Sequence, residues 1–395
     1  MSGTDGAPAG YRKKYTTEAD FAYAVACRRQ LHRHPETSFD LEHTTALVRS
    51  ELESMGIACG EAGPASVTGW IGPQDCRPAI GLRADMDALP IQERTGLPFA
   101  SEVPGVMHAC GHDAHTAVLL TAARILKRHE SEMRVRVKLL FQPSEEGSRS
   151  GARSMTEHGA ADDVDCVLAA HCDNDLPAGT IGICPGAYMA ASGLVTLTFR
   201  GRRSHAAMPE KGVDAIAMAV EAYGTLKRIA AEEAGDGTPC IFGINCIRGG
   251  TAPNMIADSC EMMITFRYYD PDLFTVVETR GRQSCCEIAE RFGGSAEQNW
   301  NRGAPPVYND PLLTAAFAAA AERALPGCVT TLSPCRISED FSWFLQRKPG
   351  FLFRFGTRSE ENGCTAPLHS DDFRLDERGM AGAIEAFTAF VMDRE

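Results

Sequence analysis

Residues 79–87 have the sequence AIGLRADMD, an apolar run that ends in two aspartates. Two later stretches have the same form: residues 135–146 (VRVKLLFQPSEE) end in paired glutamates, and residues 164–171 (VDCVLAAH) end in a histidine. Short apolar runs bounded by turn residues are typical of buried strands. Thr116–Arg128, between the first two runs, carries apolar residues at helical spacing, with Asp113 as its predicted N-cap. The alternation of strands and helices predicts an α/β domain with a mostly parallel sheet and helices on both faces.

Similar patterns extend towards both ends of the chain. Helical periodicity dominates roughly residues 17–56. The buried strands predicted for this domain are Ala79–Ala84, Val135–Phe141, Val164–Ala169 and Phe351–Phe355.

The middle of the chain has a different order of elements. Leu194–Arg200 alternates between apolar and polar residues, which is typical of a half-buried strand. The elements predicted after it are a helix over about 213–230, strands Cys240–Ile247 and Cys260–Tyr268, a helix over about 272–291 and an edge strand near 297–301. This β-α-β-β-α-β order is that of a ferredoxin-like domain. We therefore predict that residues 188–302 form a small α+β domain, inserted into a larger α/β domain built from residues 1–187 and 303–395.

Chain length, charge and cysteine usage narrow the class of protein. A single core rarely exceeds about 250–300 residues, so 395 residues predict two domains. The net charge of −13 argues against nucleic acid or an acidic membrane surface as a partner. Residues 1–15 contain no apolar signal segment, and no run of about 18 apolar residues could span a bilayer. The 15 cysteines are scattered without a C-x-x-C pair, which predicts reduced thiols in a cytoplasmic protein.

Groups that bind metals or move protons end all three of the apolar runs. Ligands of open α/β sheets bind beyond the carboxyl ends of the strands. One strand that ends in an acid is unremarkable, but three such strands in one chain predict a shared site. The residues at these three strand ends are Asp85, Asp87, Glu145, Glu146 and His171.

The densest cluster of candidate ligands is residues 107–115, MHACGHDAH. It holds three histidines, one cysteine and one aspartate just before a predicted helix. A thiolate together with imidazoles favours zinc-like transition metals over Mg²⁺ or Ca²⁺. A histidine-rich helix cap would explain the same residues without a metal.

Glu145 and Glu146 follow a predicted buried strand and Pro143, and they precede Gly147, so their carboxylates should project in different directions. One of them could bind a metal, while the other takes a proton from metal-bound water and hands it to a leaving amine. Adjacent acids on a solvated face are the alternative interpretation. His205, after the first strand of the inserted domain, and His369, after the last predicted strand, are equally compatible with surface loops.

Taken together, these stretches resemble one family of enzymes. From about Leu31 to its last helix, the chain is similar to the dinuclear metal amidohydrolases and peptidases that include hippurate hydrolase, N-acyl-amino-acid hydrolases and plant auxin-conjugate hydrolases. The matching blocks are Leu82–Pro90, His108–His115, Phe141–Gly147, Ser204–Pro209, Ala252–Asn254, Ser338–Phe341 and Pro367–Ser370. Within the family, residues 145–171 look like the large subunit of aminobenzoyl-glutamate hydrolase.

The resemblance implies a site that holds two divalent ions, which could be Zn, Mn, Co or Ni. The residues that match the metal ligands are Cys110, His112, Glu146, His171 and His369. Glu145 matches the general base. Asp85 and Asp87 match the block that precedes the ligand loop, and we interpret them as groups that orient the histidine ligands.

The resemblance also implies how substrate and subunits interact. His205 matches a histidine that reaches from the small domain, usually of the neighbouring subunit, to the reacting carbonyl. Asn254 and Arg267 match groups that hold the substrate carboxylate, to which a guanidinium can donate two parallel hydrogen bonds. The small domain is also the dimerisation domain of the family, so a homodimer is expected. The expected reaction is hydrolysis of an N-acyl or N-aroyl amino acid, with p-aminobenzoyl-glutamate or a dipeptide as alternative substrates.

Other classes of protein fit the residues less well. A binding protein that keeps the fold without its chemistry would not need Glu145 and all five candidate ligands. A zinc nucleobase deaminase is suggested only by His34-Pro35-Glu36, and its P-C-x-x-C partner is missing because no second cysteine follows Cys335 at that spacing. A serine hydrolase needs G-x-S-x-G and a nucleotide enzyme needs a P-loop, and neither motif is present.

Overall fold

The structure, a computed structural model, describes residues 14–75, 77–235 and 240–394. The prediction about a signal segment in residues 1–15 therefore falls almost wholly outside the described residues. The chain divides into two compact units. Unit 1 contains the described residues up to Tyr188 together with Tyr308–Ser333 and the residues from Asp340 onward, and unit 2 contains Met189–Val307 and Pro334–Glu339. The catalytic and dimerisation roles assigned to these parts from the sequence stay predictions.

The helices follow the periodic stretches of the sequence. The described ranges contain nine α-helices: α1 Glu18–Arg33, α2 Glu42–Ser54, α3 His112–Arg128, α4 Gly151–Glu157, α5 Ala215–Ala234, α6 Leu273–Phe292, α7 Pro311–Ala324, α8 Ser342–Leu345 and α9 Arg378–Met392. The predicted helical region 17–56 is two helices, since Pro35 disfavours helical backbone at the residue before it. None of these helices is both long enough and apolar enough to cross a membrane.

Eight strands of the described ranges lie where the sequence patterns predict them, and the other eight, all shorter, were not predicted. The strands in the described ranges are β1 Cys59–Gly60, β2 Val67–Ile71, β3 Ala79–Asp85, β4 Arg136–Gln142, β5 Cys166–Pro177, β6 Ile181–Ile183, β7 Gly186–Met189, β8 Ala191–Arg200, β9 Ser204–His205, β10 Ile241–Gly249, β11 Met255–Ile256, β12 Ser259–Tyr268, β13 Ser295–Arg302, β14 Val307–Asn309, β15 Val329–Thr331 and β16 Gly350–Arg358.

Unit 1 is built around an eight-stranded sheet in the order β1-β2-β4-β3-β5-β16-β6-β15. The central strands β4, β3, β5 and β16 are parallel to one another, whereas β1, β2 and β6 form antiparallel pairs. All seven residues of β3 are buried, so the sheet is covered on both faces there. The predicted α/β class with a mostly parallel sheet is confirmed.

Two details of the predicted elements are wrong. Asp113 is not the N-cap of α3, because the helix begins one residue earlier, at His112. Its N-cap is Gly111, whose φ of 77° is a left-handed conformation that glycine adopts without steric cost. His171 does not end the third strand, since β5 continues for six residues beyond it.

Unit 2 is a four-stranded antiparallel sheet in the order β10-β12-β8-β13. Its side chains alternate between buried and partly exposed along β12, so one face of the sheet forms the core with α5 and α6. The element order is the predicted β-α-β-β-α-β. Two short strands, β9 and β11, form a separate antiparallel ribbon that follows the end of β8.

Candidate metal centre

Five predicted ligands converge in unit 1 from distant stretches of chain. Cys110 lies in the loop before α3, and His112 is the first residue of that helix. Glu146 follows β4, and His171 is on β5. His369 lies in the loop after β16, with φ of 65°. The parallel order of β4, β3, β5 and β16 brings these loops to one edge of the sheet, as expected for the carboxyl ends of parallel strands.

Two of the groups formed by donor atoms here consist only of predicted ligands and overlap. One group is Cys110, His112 and His171, and the other is Cys110, Glu146 and His369; within each group the donor atoms all lie within 4.8 Å of one another. Cys110 Sγ lies 3.5 Å from His171 Nε2. His369 Nε2 lies 3.0 Å from Glu146 Oε1. Because Cys110 belongs to both groups, its sulfur is placed to serve two neighbouring cations.

The donor set fits divalent transition metals. His112 is wholly buried, and neither of its ring nitrogens makes a well-aligned hydrogen bond with the described residues, although Asp87 is near one of them. Glu146 Oε1 is also buried and makes no well-aligned hydrogen bond in this part of the chain, although His369 is near. Buried polar atoms without partners are costly unless another group, such as a cation, satisfies them. Thiolate, imidazole and carboxylate donors together are those that Zn²⁺ and its neighbours prefer.

The protonation of Cys110 depends on what binds there. Burial raises the pKa of the Cys110 thiol well above its usual value, and the neighbouring His112 only partly offsets this effect. Since the thiolate rather than the thiol binds metals, a cation bound by Cys110 must displace the thiol proton.

Glu145 is half-buried beside the ligands. One of its carboxylate oxygens lies within 4.8 Å of donor atoms of His112 and Glu146. The backbone N–H groups of Glu145 and Glu146 donate to the two oxygens of Asp87, at 2.9 and 3.1 Å. Ser144, just before the pair, has a left-handed φ of 52°, which is uncommon for a residue other than glycine. The turn thus holds the Glu146 carboxylate among the candidate metal-binding atoms and the Glu145 carboxylate beside them.

Two aspartates lie next to the histidines of this site. Asp87 Oδ1 lies 3.5 Å from His112 Nδ1. Asp85 Oδ1 lies 2.6 Å from Nδ1 of His115 and 3.8 Å from Nδ1 of His112. Burial raises the pKa of Asp85, but its charged neighbours, Arg83 first, lower it more, and the resulting pKa lies well below its usual value. Asp85 therefore stays ionised next to the imidazoles.

His205 and Asn254 lie together in unit 2. His205 is on β9, where it pairs with Met255 of β11. The N–H of Ala206 donates to the carbonyl oxygen of Asn254 at 3.0 Å. Both His205 and Asn254 are exposed.

Arg267 occupies a different part of unit 2. It pairs with Ser192 near the start of β8, whereas the ribbon with His205 and Asn254 follows the far end of that strand. Arg267 is half-buried in a cavity of about 280 Å³ whose other lining residues are Ser192, Gly193, Leu194, Thr265, Asn301, Gly303 and Ser338. Burial lowers the pKa of Arg267, and no described acidic residue offsets that effect. The structure does not bring Asn254 and Arg267 to the same place in this unit.

Three residues in the matching blocks, to which the sequence assigned no role, support the site: Arg83, Gln142 and Asp340. Arg83 is wholly buried. Its Nη1 donates to Asp85 Oδ2 at 2.6 Å, its Nε donates to Gln142 Oε1 at 2.8 Å, and its Nη2 donates to Asp340 Oδ1 at 3.1 Å. The available signal was an arginine inside an apolar strand, since a guanidinium is almost never fully buried without paired partners.

Comparison with known proteins identifies the family. Residues 81–393 match the model of peptidase family M20/M25/M40. The chain is 35% identical over 360 residues to the N-acetyl-L-cysteine deacetylase of Bacillus subtilis, which covers 91% of this chain and 85% of the deacetylase. It is 34% identical over 369 residues to an IAA-amino acid hydrolase of Arabidopsis thaliana, which covers 90% of this chain and 83% of the hydrolase.

Solved structures agree with this assignment. A dinuclear metal-binding peptidase of the M20 family from Bacillus subtilis superposes with a TM-score of 0.82 at 32% identity, over 95% of this chain and 99% of the peptidase. An aminobenzoyl-glutamate utilization protein from Klebsiella pneumoniae shares the fold, with a TM-score of 0.69 at 23% identity over 94% of this chain and 96% of that protein. The predicted resemblance is confirmed: the chain belongs to peptidase family M20/M25/M40, and it is a metal-dependent hydrolase of amide bonds with a two-metal site.

Proposed function

We propose that this metal-dependent hydrolase cleaves the amide bond of N-acyl or N-aroyl amino acids that carry a free α-carboxylate. The observation that supports this most is that Glu145 lies beside five metal donors grouped at one site, Cys110, His112, Glu146, His171 and His369. Two relatives carry names of this substrate class, since one is a deacetylase of N-acetyl-L-cysteine and the other a hydrolase of IAA-amino acids.

Each residue has a separate role in the proposed reaction. The five ligands would hold two divalent ions, with Cys110 common to both, and such ions lower the pKa of a water molecule and polarise a carbonyl. Glu145 removes the proton from the attacking water and passes it to the leaving amine. His205 donates a hydrogen bond to the carbonyl oxygen as that oxygen becomes negatively charged.

A homodimer would supply His205 from the neighbouring subunit. In unit 2, β10 is an edge strand of the sheet. The helix that packs against it, α5, exposes Ile216, Val220 and Tyr223 by 37%, 61% and 39% at helical spacing. An open strand edge beside an apolar stripe favours association with a second copy. We propose a two-fold symmetric dimer through β10 and α5.

Mixing two inactive variants tests the role of His205 and the dimer together. His205→Ala should lower kcat by about 10²- to 10³-fold, because one donor to the developing oxyanion is lost. Glu145→Gln should be inactive because it lacks the base. Mixed dimers hold one site with both an intact Glu145 and an intact partner histidine, so a random mixture should regain about a quarter of wild-type activity.

The composition of the mixture is checked by native mass spectrometry on tagged subunits. Mixed dimers without recovered activity would contradict the supply of His205 from the neighbouring subunit. Loss of bound cations in His205→Ala would make His205 a ligand instead.

Arg267 is the proposed anchor for the substrate carboxylate. Its guanidinium is half-buried in a cavity of about 280 Å³, where no described acid offsets its desolvation. A carboxylate there can accept two parallel hydrogen bonds from the guanidinium. Asn254 lies with His205, so we propose that the neighbouring subunit supplies both.

Removing the guanidinium should affect only substrates with a free carboxylate. Arg267→Ala should lower kcat/KM for an N-acyl amino acid by about 10- to 100-fold, because a hydrogen bond to a charged group contributes about 1.5–3 kcal/mol. The same variant should change kcat/KM for the corresponding α-amide by less than about threefold, since that substrate has no charge to lose. Arg282→Ala, on an arginine of α6 in the same unit that pairs with Glu278 away from the cavity, is the control. Equal losses on both substrates would contradict this role.

We also propose that the protein is cytoplasmic and binds neither nucleic acid nor membranes. The net charge of −13 supports the absence of a nucleic-acid or membrane partner. Fourteen cysteines in the described ranges are free thiols, which supports a reducing compartment such as the cytoplasm. Cell fractionation followed by immunoblotting checks the location.

A substrate panel on the cation-loaded protein tests the proposed reaction. The panel contains hippurate, several N-acetyl amino acids, p-aminobenzoyl-glutamate and dipeptides. We expect the highest kcat/KM among the acyl and aroyl amino acids. Highest activity on dipeptides, or no turnover with two cations bound, would contradict the proposal.

A further inference from the structure

Asp340 is a buried carboxylate at the point where the chain re-enters unit 1. It directly follows Pro334–Glu339, the second segment of unit 2. Only 5% of Asp340 is exposed. Burial of a carboxylate is costly unless hydrogen bonds or cations satisfy it, so its contacts define what it holds in place.

The two oxygens of Asp340 bind three different elements. Oδ1 accepts hydrogen bonds from Arg83 Nη2 on β3, at 3.1 Å, and from Gln142 Nε2 at the end of β4, at 2.8 Å. Oδ2 accepts from the Ser150 hydroxyl at 2.7 Å and from the backbone N–H of Ala152, in the first turn of α4, at 3.2 Å. A single side chain thus connects the ends of two central strands with the start of a helix.

These contacts enclose the loop that carries Glu145 and Glu146. The loop leaves β4 at Gln142 and enters α4 after Ser150, so its first and last residues both bind Asp340. A Cβ at Gly151 would overlap the carbonyl oxygen of Pro143, which shows how closely the two ends of the loop approach. Asp340 therefore fixes the base of this loop.

A second aspartate, Asp87, holds the part of the same loop that carries the two glutamates. Asp87 accepts the backbone N–H groups of Glu145 and Glu146 at 2.9 and 3.1 Å. Asp87 follows β3, whose Arg83 also binds Asp340. The loop is therefore fixed at its two glutamates by Asp87 and at its two ends by Asp340. Asp87 directly follows β3, and Asp340 binds Arg83 of β3.

Arg83 extends the network to the histidines. Its Nη1 donates to Asp85 Oδ2 at 2.6 Å, and Asp85 Oδ1 lies 2.6 Å from His115 Nδ1. Arg83 lies wholly out of solvent between Asp85 and Asp340, so removal of one carboxylate changes how strongly it binds the other. Asp340 can thus influence the loop that carries Glu145 and Glu146 directly. It can influence His115 through Arg83 and Asp85.

We propose that Asp340 is a positioning residue that sets the geometry of Glu145 and Glu146 for catalysis and cation binding. This inference rests on the proposed roles of Glu145 as base and Glu146 as ligand. Asp340 touches neither substrate nor cation in this proposal. Its effect comes from the fixed distance between the two ends of the loop, because a shift of about 1 Å in a positioned group can cost about 10²-fold in rate.

Asp340→Asn tests the proposal against a closely matched control. The substitution keeps the shape of the side chain but removes its charge. It also places an NH₂ group where a carboxylate oxygen now accepts hydrogen bonds. Asp376→Asn is the control, because Asp376 is also 5% exposed, binds the guanidinium of Arg378 and accepts the backbone N–H of that residue at the start of α9. Asp376 therefore has the same kinds of bonds at a place that does not contact the loop.

Two measurements separate positioning from general destabilisation. We expect Asp340→Asn to lower kcat by about tenfold or more with KM changed less than about threefold. We expect it to weaken the apparent affinity for Zn²⁺ or Mn²⁺, measured by chelator competition, by about 10- to 100-fold. Asp376→Asn should change neither quantity by more than about threefold, even if both variants lower the melting temperature.

Ser150→Ala provides a milder second variant if Asp340→Asn fails to fold. It removes the hydroxyl that binds Oδ2, and we expect smaller losses in the same two quantities. Cation affinity unchanged in Asp340→Asn or Ser150→Ala, or lowered equally in Asp376→Asn, would overturn the proposal. Because cation affinity is measured without substrate, it decides the proposal even if the wild-type enzyme hydrolyses no N-acyl amino acid, a result that would count against the proposed function alone.

Discussion

Replacing Glu145 by glutamine is expected to lower kcat by about 10²- to 10⁴-fold, the range that a positioned general base contributes. Glutamine keeps the size of the side chain and its backbone hydrogen bond to Asp87, but it cannot accept the proton of the attacking water. The five proposed ligands are untouched, so two cations per chain should remain bound. Steady-state kinetics on an N-acyl amino acid and elemental analysis of the same sample check both expectations.

Glu157→Gln is the matched control for this substitution. Glu157 is exposed at the end of α4, where it pairs with Arg153, and it lies outside the metal groups described above. Its variant should keep wild-type kcat and both cations. Turnover near the wild-type rate in Glu145→Gln would show that another group removes the proton.

The loss of individual ligands should distinguish the two cation positions. Cys110 belongs to both donor groups, whereas His171 belongs to one and His369 to the other. His171→Ala and His369→Ala should therefore each bind about one cation per chain, and Cys110→Ala should bind less than one under the same conditions. All three variants should lose nearly all activity, because the reaction needs both ions. Native mass spectrometry or elemental analysis after gel filtration measures the cation content.

Cys285→Ala is the control for the cysteine substitution. Cys285 is fully buried in the core of unit 2, so its variant loses a buried thiol without affecting the donor groups. It should retain both cations. Full cation binding by Cys110→Ala would contradict the assignment of a shared sulfur ligand.

Local sequence patterns were sufficient to predict the elements that carry the site. The run at residues 79–87 predicts a buried strand followed by acids, and the structure has β3 with all seven residues buried. The parallel sheet follows from the alternation of such runs with helices, because parallel strands need crossover connections. The cluster at residues 107–115 is visible because thiol and imidazole groups so close in sequence are chemically distinctive.

The support around the site could not be predicted, because it depends on contacts between distant residues. Arg83 and Asp340 are 257 positions apart, and only the completed sheet brings them within hydrogen-bond distance. The role of Asp113 could not be predicted for the same reason, because it depends on a distant residue. Asp113 has the residue type of an N-cap, yet it is buried in the first turn of α3, where its Oδ2 accepts a hydrogen bond from Arg28 Nε at 3.0 Å. A tertiary partner thus overrode the local preference.

The separation of Arg267 from Asn254 also could not be predicted from the sequence. Family resemblance assigns both to the substrate carboxylate, but it carries no information on strand register. The pairing of Arg267 with Ser192, at the start of β8, places it away from the ribbon that follows the end of that strand. Asn254 and Arg267 therefore do not share one site within this unit.

Anomalous diffraction from crystals grown with Zn²⁺ or Mn²⁺ tests whether five side chains hold two cations beside Glu145. We expect two peaks in the anomalous difference map, each about 2.0–2.4 Å from its ligand atoms, with the sulfur of Cys110 near both. A single peak, or peaks bound by residues other than Cys110, His112, Glu146, His171 and His369, would contradict the account.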